Sequence, residues 1–280
     1  MSDMIERVAR DPNPSTLIDA RRSRGGAREM THATELRDYG YTRLAPWNDA
    51  NALRARLKNS PTYTGHVIPQ GDRVARTWDE TIAIPANPLF HACHSLETIL
   101  QAAPSLLPYI VGYLPLVEEF FGEPALLYSI NAFWKRPPDR GGWHYDLDDR
   151  KQAVIFIYGT DVLSPEDGVH QYYVESAGFS TEEKAKFHNV EGVFVPPVAV
   201  ESFYGPAGTA FMTNTNGLHT GWPPKTGARL LIWARFGVSD PPATYHADEI
   251  GPVPASKLSY WTPGGEPVRH ATHLIVDWNK

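Results

Sequence analysis

The sequence predicts a β-rich α+β fold: a double-stranded β-helix, or jelly-roll barrel, supported by an N-terminal helical layer. Three observations carry this expectation. The hydrophobic period changes from helical to strand-like near Ala125. The chain holds 25 prolines and is 11% aromatic, which suits short strands joined by long loops, because proline is kept out of central helices and strands. No internal repeat and no linker divides the 280 residues, so one domain is expected over residues 29–280, behind a polar, proline- and arginine-containing arm at 1–28.

The elements follow in order. Thr31 to Tyr39 predicts a helix capped by Thr31 or Thr34, with Glu35 in its first turns. "GYTRLAP" predicts a short strand, and Asn48 to Asn59 a second helix. Residues 61–90 mix turn residues with short strands. Ala92 to Phe121 predicts a helical block broken near Pro104 and Pro108. The strand-like runs are "ALLYSINAFWKRP", "AVIFIYG", "GVHQYYVES", "TAFMTNT" and "ARLLIWARFGV". Between the third and fourth, a stretch with Glu182, Glu183, Lys184 and Lys186 reads as a solvated helix, followed by the proline-rich "VFVPPVAVESFYGP".

Composition excludes several function classes. Net charge is −6 with no basic stripe, so a nucleic-acid partner is not expected. A single cysteine, Cys93, excludes an internal disulfide and suits a reducing compartment. No apolar run approaches the ~20 residues that cross a bilayer. The arginines of the first thirty residues are interspersed with Asp3, Glu6, Asp11, Asp19 and Glu29, unlike an acid-poor transit peptide. The ending Asp-Trp-Asn-Lys is not a peroxisomal address. A cytoplasmic protein with a small-molecule partner is the expectation; the sequence does not specify its oligomeric state.

The chemistry concentrates in Trp143-His144-Tyr145-Asp146, Gly217-Leu218-His219 and Arg229. Residues at i and i+2 on an extended strand point the same way, so His144 and Asp146 reach one metal ion together. His219, brought alongside by a closed sheet, completes a triad of two imidazoles and one carboxylate. Such a triad leaves open positions on a ferrous ion, as oxygen-activating non-haem iron requires. His246-Ala247-Asp248 has the same spacing, but too little chain follows it to build a barrel, and no arginine-bearing strand does. It reads as a loop. Alternation places Arg229, Leu231, Trp233 and Arg235 on one face of the last long strand. An arginine entering an apolar interior needs an anion, and a carboxylate matches its planar fork. Either arginine fits that role by pattern; proximity to His219 favours Arg229.

The runs "SINAFWKRPPDRGGWHYDLDD", "VIFIYGTDVLSPEDGVHQYYVESAG" and "GPAGTAFMTNTNGLHTGWPPKTGARLLIWARFG" resemble the phytanoyl-CoA dioxygenase-like family of iron(II)/2-oxoglutarate oxygenases. The resemblance covers about residues 125–240, and 31–124 in helical outline alone. It implies a double-stranded β-helix fold and the cofactor set Fe(II), 2-oxoglutarate as cosubstrate, and O2. Residue by residue, it makes His144, Asp146 and His219 the iron ligands and Arg229 the partner of the far carboxylate of 2-oxoglutarate. It puts Asn131 beside the cosubstrate pocket and makes Arg235 a second, structural arginine. The family's "GSH" segment is replaced here by Glu175-Ser176-Ala177-Gly178, so its coenzyme-A substrates are not implied.

The reaction implied is hydroxylation of an unactivated C–H bond of a natural product, amino acid or lipid, with 2-oxoglutarate converted to succinate and CO2. A carboxylate at Asp146 argues against halogenation, for which relatives carry a small residue there. Desaturation, cyclisation or epimerisation would use the same cofactors, and a barrel that binds without turnover is the alternative from another class. Trp143 and Trp222 flank the ligands, and Arg73 and Arg76 lie in a polar, aromatic stretch suited to a lid. These four are the expected substrate contacts.

Overall fold

Alternating apolar residues make the strands, and the two faces they create are buried against different partners. In a computed structural model, the described residues are 31–64, 76–83, 92–94, 96–137, 141–146, 149–185, 199–238, 258–261, 267–268 and 275–276. The expected arm at 1–28, Arg73 and the His246/Asp248 pair lie outside them.

The helical layer is α1 (His32–Asp38), α2 (Ala50–Leu57), α3 (Trp78–Ala83), α4 (Leu96–Ala102), α5 (Leu106–Val111) and α6 (Leu114–Phe121). Helix α1 begins as expected: the Thr31 hydroxyl accepts from the Thr34 backbone N–H, satisfying one of the first-turn donors. Two expectations are corrected. Pro108 does not break a helix, because it falls in the first turn of α5, where no intrahelical N–H bond is lost. Ala92 and Cys93 form a strand instead of starting the helical block, because they pair with Trp134 and Phe133 of the main sheet.

The strands are β1 (Tyr41–Leu44), β2 (Tyr63–Thr64), β3 (Ala92–Cys93), β4 (Leu126–Lys135), β5 (Gln152–Tyr158), β6 (His170–Tyr173), β7 (Val200–Phe203), β8 (Ala210–Thr213), β9 (His219–Gly221) and β10 (Arg229–Gly237). Three short C-terminal strands follow: β11 (Leu258–Trp261), β12 (Pro267–Val268) and β13 (Ile275–Val276). A short helix α7 (Thr181–Ala185) carries the charged Glu182, Glu183 and Lys184. The main sheet has seven antiparallel strands in the order β1-β8-β5-β10-β4-β3-β2, and a three-stranded sheet has the order β7-β6-β9. β11–β13 form a small sheet of their own.

Leu230, Ile232, Ala234 and Phe236 of β10, with Ile155, Ile157 and Met212 from neighbouring strands, pack on helix residues such as Leu53, Ile99 and Val117. Each of the larger aliphatic and aromatic side chains among these contributes about 1.5–3 kcal/mol of apolar transfer free energy. The opposite face, with Val154, Phe156, Phe211 and Leu231, meets Val169, Tyr172 and Phe203 of the smaller sheet's side. Phe203 and Phe211 stack at 3.9 Å and join the two sheets directly. The fold is thus a helix layer and two antiparallel sheets; among the described residues the sheets do not close into a continuous barrel. No helix of the described residues is long and apolar enough to cross a membrane.

Candidate metal centre and anion cradle

His144 and His219 meet across an antiparallel bridge. His144 N–H donates to His219 O at 3.0 Å, and His219 N–H donates to His144 O at 2.8 Å. Asp146 follows the same course, its N–H donating to Thr215 O at 2.8 Å. The ladder therefore puts His144, Asp146 and His219 at one spot, and their ligand atoms lie within 4.8 Å of one another. Among the described residues this is the group of His, Cys, Asp or Glu side chains arranged to hold a metal ion.

Each histidine is oriented by its other nitrogen. The Nδ1–H groups donate to carbonyls two residues back, Gly142 at 2.8 Å for His144 and Gly217 at 3.0 Å for His219. That fixes the tautomer and leaves both Nε2 atoms as acceptors, the form a metal takes. Burial lowers the His219 pKa to about 4, so its imidazole is neutral near pH 7. Burial pushes the Asp146 carboxyl upward, but His219, His144 and Arg235 outweigh it and hold the carboxyl below its ordinary value. The carboxylate's backbone is pinned by Gln152 Nε2, which donates to Asp146 O at 2.8 Å.

Gly217 is required where His219 is presented. A Cβ there would run into the Tyr172 hydroxyl, which itself donates to Asn214 O at 2.9 Å. The turn and the tyrosine thus define each other.

Arg229 is 2% exposed. It opens β10, opposite Lys135 on β4. Its Nη1 donates to Gly168 O, while Lys135 Nζ donates to Gly221 O at 2.5 Å. Gly221 lies two residues beyond His219 on β9, a step of about 6.6 Å along a strand. A methyl group on Gly221 would sit 3.3 Å from Arg229 Nη2 and 3.5 Å from His170 Nδ1. The missing side chain leaves a gap bordered by Arg229 Nη2 and His170 Nδ1, and Gly221 O accepts from Lys135 Nζ. These groups surround Gly221, two residues along β9 from His219.

The sequence expectations distribute around this centre. His144, Asp146 and His219 come together, and Arg229 stands against Gly221, two residues beyond His219. Asn131 faces Trp233 in the sheet register, and its Nδ2 is buried without a partner among the described residues. Trp222 Nε1 donates to Gln171 Oε1 at 2.7 Å, against the inner aromatic cluster. Trp143 packs with Tyr173 and Leu218 in a separate cluster. Arg76 pairs with Thr62 at the β2 end of the sheet, its N–H donating to Thr62 O at 2.8 Å. Arg235 lies over the Trp233 ring at 4.3 Å. His170 and Lys135 carry no role in the sequence reading. The signal that would have found them is register: β6 pairs His170 with Gly221, and β10 pairs Arg229 with Lys135.

No protein-family model matches the chain, and no curated protein matches its sequence. Its fold is similar to solved structures of non-haem, alpha-ketoglutarate-dependent enzymes. The carbocyclase SnoK from nogalamycin biosynthesis aligns at 14% identity and TM-score 0.53, covering 89% of this chain and 97% of that one. The epimerase SnoN, in complex with Fe3+, alpha ketoglutarate and nogalamycin RO, aligns at 14% identity and TM-score 0.52, over 88% and 95%. HygX from Streptomyces hygroscopicus, with nickel and 2-oxoglutarate bound, aligns at 15% identity and TM-score 0.51, over 78% and 89%. At these identities the likeness is one of fold.

Proposed function

We propose that this chain is an iron(II)/2-oxoglutarate-dependent oxygenase of the phytanoyl-CoA dioxygenase-like kind. In this reading residues 29–280 form one catalytic domain and its two sheets are the halves of a double-stranded β-helix. The observation that carries the reading is the cluster of His144, Asp146 and His219, with the buried Arg229 against Gly221, two residues beyond His219. A metal triad alone fits many proteins; a triad beside a buried cationic cradle fits a metal-chelating dicarboxylate.

The residues divide the work. His144 and His219 would hold iron through Nε2 and Asp146 through a carboxylate oxygen. Arg229 would pair with the far carboxylate of 2-oxoglutarate, fixing the keto-acid end toward the metal. Asn131 would offer its amide to the same pocket. The wall of Phe156, Phe203 and Phe211 excludes water from the cradle, which strengthens each polar contact inside. Iron(II), when bound, supplies the redox chemistry with O2 at the positions the three side chains leave open.

The reaction is hydroxylation of an unactivated C–H bond of a small molecule, with release of succinate and CO2, in a cytoplasmic protein. Trp222, Arg76 and Arg73 are the proposed substrate contacts, while Trp143 packs with Tyr173 and Leu218. Iron-dependent release of CO2 from 2-oxoglutarate labelled at its keto-acid carboxyl tests the reading; no release from iron-loaded protein over a broad small-molecule panel would sink it.

A second reading keeps the cofactors and changes the outcome. The similar folds of an epimerase and a carbocyclase support epimerisation or cyclisation as alternatives. Product mass separates them: hydroxylation adds one oxygen, cyclisation or desaturation removes two hydrogens, and epimerisation leaves the mass unchanged.

A further inference from the structure

His170 is 2% exposed, and neither of its ring nitrogens has a hydrogen-bond partner among the described residues. A neutral imidazole always carries one N–H donor and one acceptor. Burying both unpaired is costly, and native structures leave few such groups. Aromatic rings hold the imidazole in place: Phe156 at 4.3 Å, Phe211 at 5.3 Å and Phe203 at 6.1 Å between ring centroids. It also stacks on the metal-side His219 at 5.7 Å and 24°. Its Nδ1 faces the gap at Gly221, across which stands Arg229 Nη2. Arg229 Nη1 donates to Gly168 O, and a carboxylate approaching Gly221 would meet Nη2 on one side and the His170 ring nitrogen on the other.

We propose that His170 is a cosubstrate-positioning residue, its Nδ1–H donating to the far carboxylate of 2-oxoglutarate opposite Arg229, in the space that Gly221 leaves open. The proposal rests on the oxygenase reading and adds to it a second grip, which selects dicarboxylate keto acids over monocarboxylate ones. A single arginine contact leaves that carboxylate free to swing; two donors on opposite sides fix it. His170 belongs to the smaller sheet and Arg229 to the larger, so the cosubstrate ties the two sheets together.

Calorimetry on the nickel(II)-loaded full chain tests this, with 2-oxoglutarate and 2-oxovalerate as probes; the latter has a methyl group where the far carboxylate stands. His170→Phe keeps the aromatic packing and removes the donor. Its affinity for 2-oxoglutarate is expected to fall about tenfold or more, as for a lost hydrogen bond to a charged group, while its affinities for nickel and 2-oxovalerate stay unchanged. His170→Asn, whose amide reaches the Nδ1 position, retains most of the 2-oxoglutarate affinity. Gly221→Ala fills the gap and weakens 2-oxoglutarate selectively. A His170→Phe protein that binds 2-oxoglutarate like the wild type overturns the proposal and leaves the oxygenase reading standing. So does one that weakens both keto acids or nickel alike, because that marks a packing role. A nickel-loaded wild type that binds no 2-oxoglutarate overturns both.

Discussion

The imidazoles of His144 and His219 lie 4.3 Å apart between centroids, and each donates its Nδ1–H to the carbonyl of a glycine two residues earlier. Two residues 75 positions apart in the chain are thus prepared identically, with Nε2 free of the backbone. A metal ion meets two oriented neutral ligands and the Asp146 carboxylate, whose Oδ2 lies 3.7 Å from His219 Nε2.

Asp146→Ala removes the charged ligand and leaves the bridge intact, since Asp146 contributes its N–H and C=O to backbone contacts independently of its side chain. Iron(II) or nickel(II) raises the wild-type melting temperature by mass action. In the variant that rise is expected to vanish at the same metal concentration, while the metal-free melting temperature is unchanged or slightly higher.

Arg229→Gln leaves the metal triad untouched and removes the buried cation of the cradle. Truncating one partner of a desolvated charge pair costs about 2–5 kcal/mol. The 2-oxoglutarate concentration needed for half-saturation is expected to rise at least about thirtyfold, with metal affinity retained. Competition with a non-decarboxylating analogue such as N-oxalylglycine would show the same loss.

Gly217→Ala forces a methyl group into the Tyr172 hydroxyl. Overpacking of this kind costs about 1–3 kcal/mol, and here it displaces the turn that carries His219. The variant is expected to melt lower and to bind metal more weakly. Adding Tyr172→Phe, which deletes the obstructing oxygen, restores part of both. A double variant no better than the single one would mean that the contact is not the cause.

His94 gives a pH dependence of stability. Its Nε2 accepts from Trp134 Nε1 at 3.0 Å and its Nδ1 donates to Pro61 O at 3.1 Å, so the neutral ring is built in, and burial lowers its pKa to about 4. The unfolded chain protonates this histidine near pH 6.5 and the folded chain only near pH 4. Its contribution is therefore present above about pH 6.5 and is lost as pH falls toward 4, by up to roughly 3 kcal/mol. Denaturant midpoints of the wild type should fall across that window. His94→Leu, less stable at neutral pH, should fall less; parallel slopes would assign the loss to other groups.

The sequence shows what depends on periodicity and hides what depends on register. Alternation along β10 correctly sends Leu230, Ile232, Ala234 and Phe236 to the helices and Leu231 to the inner cluster. The His144/Asp146 spacing was legible for the same reason. His170 was not: within "GVHQYYVES" it is one inward residue among aromatics, and only its pairing with Gly221 brings it to Arg229. The contact of Trp143 with Tyr173, at 5.9 Å between ring centroids, is likewise tertiary and has no spacing in the sequence to announce it. β3 was hidden because two residues carry no period, and its pairing with β4 is purely tertiary.

The most direct test of the account is an anaerobic titration of the iron(II)-loaded protein with 2-oxoglutarate, followed by the weak visible charge-transfer band of a metal-chelated keto acid. The account predicts a saturable band in the wild type that is absent in His144→Ala and needs far more 2-oxoglutarate in Arg229→Gln. A wild-type protein with full iron loading and no band would contradict it.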